Sequence, residues 1–311
     1  MAENQATVLG PRASDYLRTL AGALGISSAP VLFLLASTHP TPAAIWRFLY
    51  ALILLIPITL LRADGRASFR SPRWLPLAAL SGLFFAADLG LWYHAIRLLG
   101  AGPATLLANT QVIWVALIGL LFLGERPSRS FWLSLPLLGA GLFLLAGGTP
   151  RSLPAHVDRG GLLLGLASGL AYALMLIHLR GAQRRAAVRP EAALLVQLGV
   201  ALPVLGVVGL LDGSLPVSLT AQQHGWLLAL GFGVQVGCWM LISAGIRQLP
   251  GHHGAMLLLA QPVASFGLGA AILGESPGRS RLLGAALVLL AIALPLLRES
   301  RAAARAAAEN A

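Results

Sequence analysis

The sequence predicts an all-α integral membrane protein, with ten transmembrane helices arranged as two inverted five-helix repeats. Three observations predict it. The composition is too apolar for a water-exposed surface, the apolar residues fall in ten runs of membrane-spanning length, and the second half of the chain repeats the first in a single register.

Of 311 residues, 57% are hydrophobic and 11% charged, with a mean hydropathy of +0.78. A soluble domain carries about 25% charged residues, so much of this surface must face lipid. The net charge of +11 raises nucleic acid as a partner. The basic residues, however, sit in short loops between apolar runs and form no stripe or patch, which argues against it. All 22 are arginine, a mark of GC-rich coding. The single cysteine, Cys238, lies inside an apolar run and supports neither a disulfide framework nor a cysteine-based zinc site. The first apolar run is too long for a typical signal peptide and lacks a clear cleavage site, so it counts as a helix.

Spanning the hydrocarbon takes about 20 apolar residues. The runs are approximately 17–36, 43–62, 74–96, 103–123, 131–147, 161–179, 192–211, 225–246, 254–273 and 281–297. Arginine placement orients them. With the N-terminus in the cytoplasm and strict alternation, 16 arginines fall inside and 5 outside, leaving Arg47 within a helix. Both termini are therefore expected in the cytoplasm of a bacterium, the chain crossing the inner membrane. Trp74, Trp132 and Trp226 begin their runs and read as interface anchors.

The repeat appears when residue n is aligned with n+150. Gln111 then falls on Gln261, Leu123-Gly124-Glu125 on Leu273-Gly274-Glu275, and Pro127, Arg129 and Ser130 on Pro277, Arg279 and Ser280. Residues 1–150 and 151–311 thus form two units, the second ending in a short cytoplasmic tail. Five helices per unit is an odd number, so the second must be upside down relative to the first. The charges agree: the arginine-rich 62–73 loop has as its counterpart the 212–224 loop, which has no arginine. Inverted repeats recur in secondary transporters, with the site near the midplane.

The two Leu-Gly-Glu helix endings, each followed two residues later by proline, with a glutamine at fixed spacing ahead, resemble the EamA-type members of the drug/metabolite transporter superfamily. Arg47, within Ala44-Ile45-Trp46-Arg47-Phe48, also resembles the family's arginine in the second helix. The resemblance covers nearly the whole chain. It implies a carrier, often an exporter, working by alternating access. The family often has a proline midway along the fourth and ninth helices. Here the ninth has Pro262, and the fourth has Val112 at that place.

Several residues are candidates for a central site. Asp88 lies inside the third run, where a charge costs at least about 2.5–3.5 kcal/mol. It reads as a proton-coupling or substrate-amine group, or as a structural charge paired with Arg47. Arg47 itself sits near the start of its helix and reads as structural or gating, or as a receptor for a substrate carboxylate. Trp92 shares a helix face with Asp88, and with Tyr172 and Trp239 it would wall a cavity or simply pack. Asn109, Gln111 and Gln261 offer amides at the midplane, for substrate or for interhelical hydrogen bonds. Pro262 frees a carbonyl nearby. Glu125 and Glu275 read as helix-end residues with a gating or structural role. Gly161, Gly165 and Gly169 on the sixth helix, and Gly233 and Gly237 on the eighth, are small-residue packing stripes.

His252 and His253 lie in the turn before the ninth helix, a poor metal site without further ligands, and read as structural or solvated. No metal and no cofactor is expected; HExxH, GxSxG and the P-loop are all absent from the sequence. The partners expected are a small-molecule substrate and the lipid bilayer, with proton coupling through Asp88. The other class of function considered is a membrane enzyme on a lipid-linked substrate. It would cluster His, Asp, Glu or Cys at one interface, whereas this sequence scatters them.

Overall fold

A computed structural model describes residues 12–99, 101–148, 158–185, 188–215, 217–273 and 278–309. Among them the chain is helical, and nine helices are long and apolar enough to cross a membrane. In chain order these and one shorter apolar helix are α1 (Ala13–Ala36), α2 (Pro40–Leu61), α3 (Pro72–Leu99), α4 (Pro103–Phe122), the shorter α5 (Arg129–Leu145), α6 (Arg159–Arg184), α7 (Pro190–Leu211), α8 (Ala221–Ile246), α9 (Gly251–Ile272) and α10 (Arg279–Glu299). The outer faces are apolar: Leu61, Leu121, Phe122, Leu133, Leu163 and Leu211 are all exposed, as expected where the solvent is lipid.

The helix packing has a pseudo-two-fold. Exchanging each helix with the one five places on turns α1–α8 into α6–α3, α2–α8 into α7–α3, and α4–α6 into α9–α1. The pairs α2–α7, α4–α9 and α5–α10 map onto themselves. Helices five places apart are an odd number of crossings apart and run in opposite directions, so the arrangement is that of an inverted repeat.

Small and polar residues let the helices approach. In α5 and α10, Gly141 and Gly284 face each other so closely that a Cβ on Gly284 would sit 2.7 Å from the Gly141 carbonyl oxygen. Buried between α3, α6 and α7, the Gln197 amide donates to Ser81 Oγ at 2.7 Å, and that hydroxyl donates to the Met175 carbonyl at 2.9 Å. Such a chain satisfies polar groups that lipid cannot.

The stripe on α6 packs as expected, Gly165 and Gly169 lying against Leu107 of α4. The α8 stripe does not: nothing lies within 4 Å of a Cβ on Gly233. The reason is a π-helical stretch, Leu230–Cys238, which rotates the faces out of 3.6-residue register. Gly231 takes the close approach instead, against the Arg47 carbonyl of α2. Trp74 is also no interface anchor. It is fully buried, packs on Phe69 and donates from Nε1 to the Ser68 carbonyl at 2.7 Å.

Candidate functional site

Both α4 and α9 break at the same register. Helix α4 runs as Ala101–Ala108 and Gln111–Phe122, and α9 as Gly251–Leu258 and Ala260–Leu273. In α9 the cause is Pro262, which has no N–H to give the preceding turn. In α4 no proline is needed. Asn109 Nδ2 donates to the Thr105 carbonyl at 2.8 Å and Thr110 Oγ1 to the Leu107 carbonyl at 2.6 Å. These side chains compete with the helix's own ladder, and the Val112 N–H reaches only the Asn109 carbonyl, at 3.4 Å. Asn109 thus commits one of its two amide N–H groups to the break.

The glutamines that follow each break are not satisfied. Gln111 is buried with Oε1 unpartnered, and Gln261 has a buried, unpartnered Nε2. Tyr172 of α6 lies within hydrogen-bonding reach of Gln261 and within electrostatic range of both Asp88 and Arg47. The structure thus brings Arg47, Asp88, Tyr172 and Gln261 into one neighbourhood.

Asp88 is buried and accepts from Ser168 Oγ at 2.7 Å. The pairing with Arg47 considered above is not formed: among the described residues neither group has an ion-pair partner, and Arg47 Nε is buried without any hydrogen bond. Trp92 is partly exposed and meets Tyr93 edge-on. Trp239 is 3% exposed and packs in the core on Phe85, which favours its packing role.

A second cluster lies at the end carrying the arginine-rich loops. Gly124, at φ +68°, ends α4 in the left-handed conformation that suits glycine, and the Glu125 N–H returns to the Gly119 carbonyl at 2.9 Å. The turn aims the Glu125 carboxylate inward. Arg180 Nη1 of α6 donates to Oε1 at 2.5 Å, and the Gly251 N–H that opens α9 donates to Oε2 at 2.8 Å. Burial works to raise this carboxyl, but the neighbouring His252, the Arg180 charge and the donated hydrogen bonds outweigh it and hold it down to about 2. Arg184 adds a bond from Nε to the Arg247 carbonyl at 2.7 Å. Glu125 thereby joins α4, α6 and α9.

Arg180 was readable in sequence only as one loop arginine among several. Its partner is 55 residues away, and the n+150 register offers no arginine in the first half, where Pro30 stands. Glu275, the counterpart of Glu125, lies outside the described residues. His252 and His253 are not solvated; they are 5% and 6% exposed, in the first turn of α9. At the opposite end, Thr41 Oγ1 donates to Asp212 at 3.1 Å and Tyr50 pairs with His224 at 2.7 Å, tying α2 to α7 and α8.

Inverted pairing, lipid-type outer faces and unsatisfied polar groups at paired helix breaks define a polytopic membrane transporter. The chain belongs to the EamA-like transporter family, whose profile matches it twice, over residues 16–147 and 159–297. It is similar to "Uncharacterized transporter YwfM" of Bacillus subtilis, 25% identical over 222 residues, 70% of this chain and 72% of that one. It is also similar to the pseudopaline exporter CntI of Pseudomonas aeruginosa, 27% identical over 197 residues, 63% of this chain and 66% of that one. A solved crystal structure shares the fold with a TM-score of 0.76 at 19% identity, covering 93% of this chain and 99% of the other.

Proposed function

We propose that the chain is a secondary carrier moving a small amino acid or organic amine across the bacterial cytoplasmic membrane by alternating access. In this reading residues 1–150 and 151–311 are the two repeats and both termini are cytoplasmic.

One observation carries the reading. Asp88 and Arg47 lie within spans, both act on Tyr172, and neither has a charged partner among the described residues. Intramembrane ionisable groups without partners are costly to keep. A solute with an amine and a carboxylate supplies a partner to each. The free amide atoms of Gln111 and Gln261 would complete its hydrogen bonds, and Trp92 lies on the Asp88 face for a cation–π contact. The pseudopaline exporter among the relatives supports outward movement.

Proteoliposomes loaded with amino acids, nucleosides, sugars and organic amines test this. Efflux of each solute is followed by mass spectrometry, with and without a pH gradient. Selective loss of amine-bearing solutes beyond protein-free vesicles is the expected result, and loss of none of them would refute it. If Asp88 couples transport to protons, Asp88→Asn abolishes gradient-driven movement, while exchange persists at the higher solute concentrations that weaker amine binding requires. Undiminished gradient-driven movement in that variant removes Asp88 from the coupling.

A further inference from the structure

We propose that His252, His253 and Glu299 form a binding site for one divalent transition-metal ion of the Zn2+ class, bridging α9 to α10 beside the Glu125 cluster. The three side chains each present a ligand atom, and those atoms lie within 4.8 Å of one another. Two imidazoles and a carboxylate are a donor set that first-row divalent ions take, with a fourth position left for water.

Proximity is supported by three features of the surroundings. First, both histidines are more than nine-tenths buried, while the Glu299 side chain, 26% exposed, leaves a path by which an ion can enter. Second, His252 Nδ1 and Glu299 Oε1 are buried without a hydrogen bond, although Glu125 faces the former and the Ser128 hydroxyl lies near the Glu299 carboxylate. A buried polar atom left unsatisfied is costly, and an ion would relieve that cost. Third, His253 is oriented as a metal-bound histidine is. Its Nε2 faces Glu299, while its Nδ1 is held by the Tyr16 hydroxyl of α1 at 2.9 Å. An outer partner on the second ring nitrogen fixes tautomer and ring orientation. On the other side, Glu125 Oε2 stands 3.8 Å from His252 Nδ1.

The direct His253–Glu299 contact is the one an ion would replace. Zinc takes nitrogen and oxygen ligands at about 2.0–2.2 Å, so side-chain rotation of about 1 Å would gather the three atoms around one centre. The site has no counterpart in the first repeat, where the aligned residues are Gly102, Pro103 and Thr149. It therefore acts at one end of the molecule alone. A bound ion would tie α9 to α10 next to the Glu125–Arg180 pair and strengthen closure of that end.

The test uses the full chain in detergent, with its purification tag cleaved and metal removed by chelator. Zn2+ is titrated by calorimetry, and Co2+ by its visible absorption. One saturable equivalent is expected, with Co2+ bands of nitrogen and oxygen coordination. His253→Ala and Glu299→Gln should each abolish it, and Tyr16→Phe should weaken it by about tenfold. Thermal unfolding of each variant without metal checks that the fold persists. If a variant fails to fold, the Co2+ spectrum of the wild-type chain decides, since bands lacking imidazole coordination overturn the site. Absence of a saturable equivalent in the wild-type chain overturns it, as does Zn2+ binding unchanged by His253→Ala and Glu299→Gln in folded protein.

Discussion

Arg180 and Glu125 meet at 2.5 Å across the boundary between the two repeats, the guanidinium from α6 and the carboxylate from the turn that ends α4. Both are largely buried, with side chains 7% and 16% exposed. Removing one partner of a buried pair leaves the other uncompensated and costs about 3–5 kcal/mol. Arg180→Ala should therefore lower thermal stability sharply. Replacing both, as Arg180→Met with Glu125→Gln, should recover much of the loss. Unfolding curves of the two single variants and the double one give the coupling. Strictly additive losses would show that the pair does not act as a unit.

The same carboxylate sets an acid limit. Its ordinary value is 4.5, and the native state holds it down to about 2. A depressed carboxyl contributes stability that is fully present above the unfolded value and lost as pH falls through the folded one. Denaturant unfolding of wild type and Glu125→Gln, compared at several pH values, should show a gap that is constant above about pH 5 and narrows toward pH 2. A gap independent of pH over that window would mean that Glu125 is not titrating there.

Nine spans and the repeat were legible in the sequence, while the run at 131–147 folds as the shorter α5. Each span must be apolar over its length, and duplication leaves a constant offset. Gln111 and Gln261 were legible for the second reason, as was Pro262 for its missing N–H. What sequence could not show depended on side chains closing over long separations. Glu125 with Arg180 and His253 with Glu299 join residues 55 and 46 apart with no periodic signal between them. Local geometry misled at α8, because a π-helical stretch changes which glycines share a face. It also misled at Trp74, where a run-starting tryptophan turned out to be core.

The break in α4 gives a prediction about proline. Within an intact helix proline costs about 3 kcal/mol or more, because a hydrogen bond is lost and the ring clashes with the preceding turn. At Val112 the lost bond is only the long one to Asn109, at 3.4 Å. Val112→Pro should therefore be tolerated with little change in melting temperature, while Val115→Pro, in the unbroken turn beyond, should destabilise by about the full amount. Equal loss from both would mean that α4 is continuous in solution.

The two unpaired charges make the sharpest prediction, because they divide the substrate between them. Guanidinium binds carboxylate in bidentate fashion, and a buried carboxylate favours an amine. If Arg47 reads the acid end of the solute, Arg47→Gln should lose transport of amino acids and keep transport of the matching decarboxylated amines. If Asp88 reads the other end, Asp88→Asn should weaken binding of both, since each carries the amine. Even lysine at position 47 should restore only part, because an ammonium is a point charge without the planar fork. Each bidentate contact is a charge-assisted bond worth about 1.5–3 kcal/mol, so the selectivity between acid and amine should shift by about tenfold to a hundredfold in Arg47→Gln. Efflux of paired solutes from one vesicle preparation measures that ratio directly and cancels differences in the amount of folded protein. A ratio unmoved by Arg47→Gln would place the arginine outside the substrate site and return it to a purely structural role between α2 and α8.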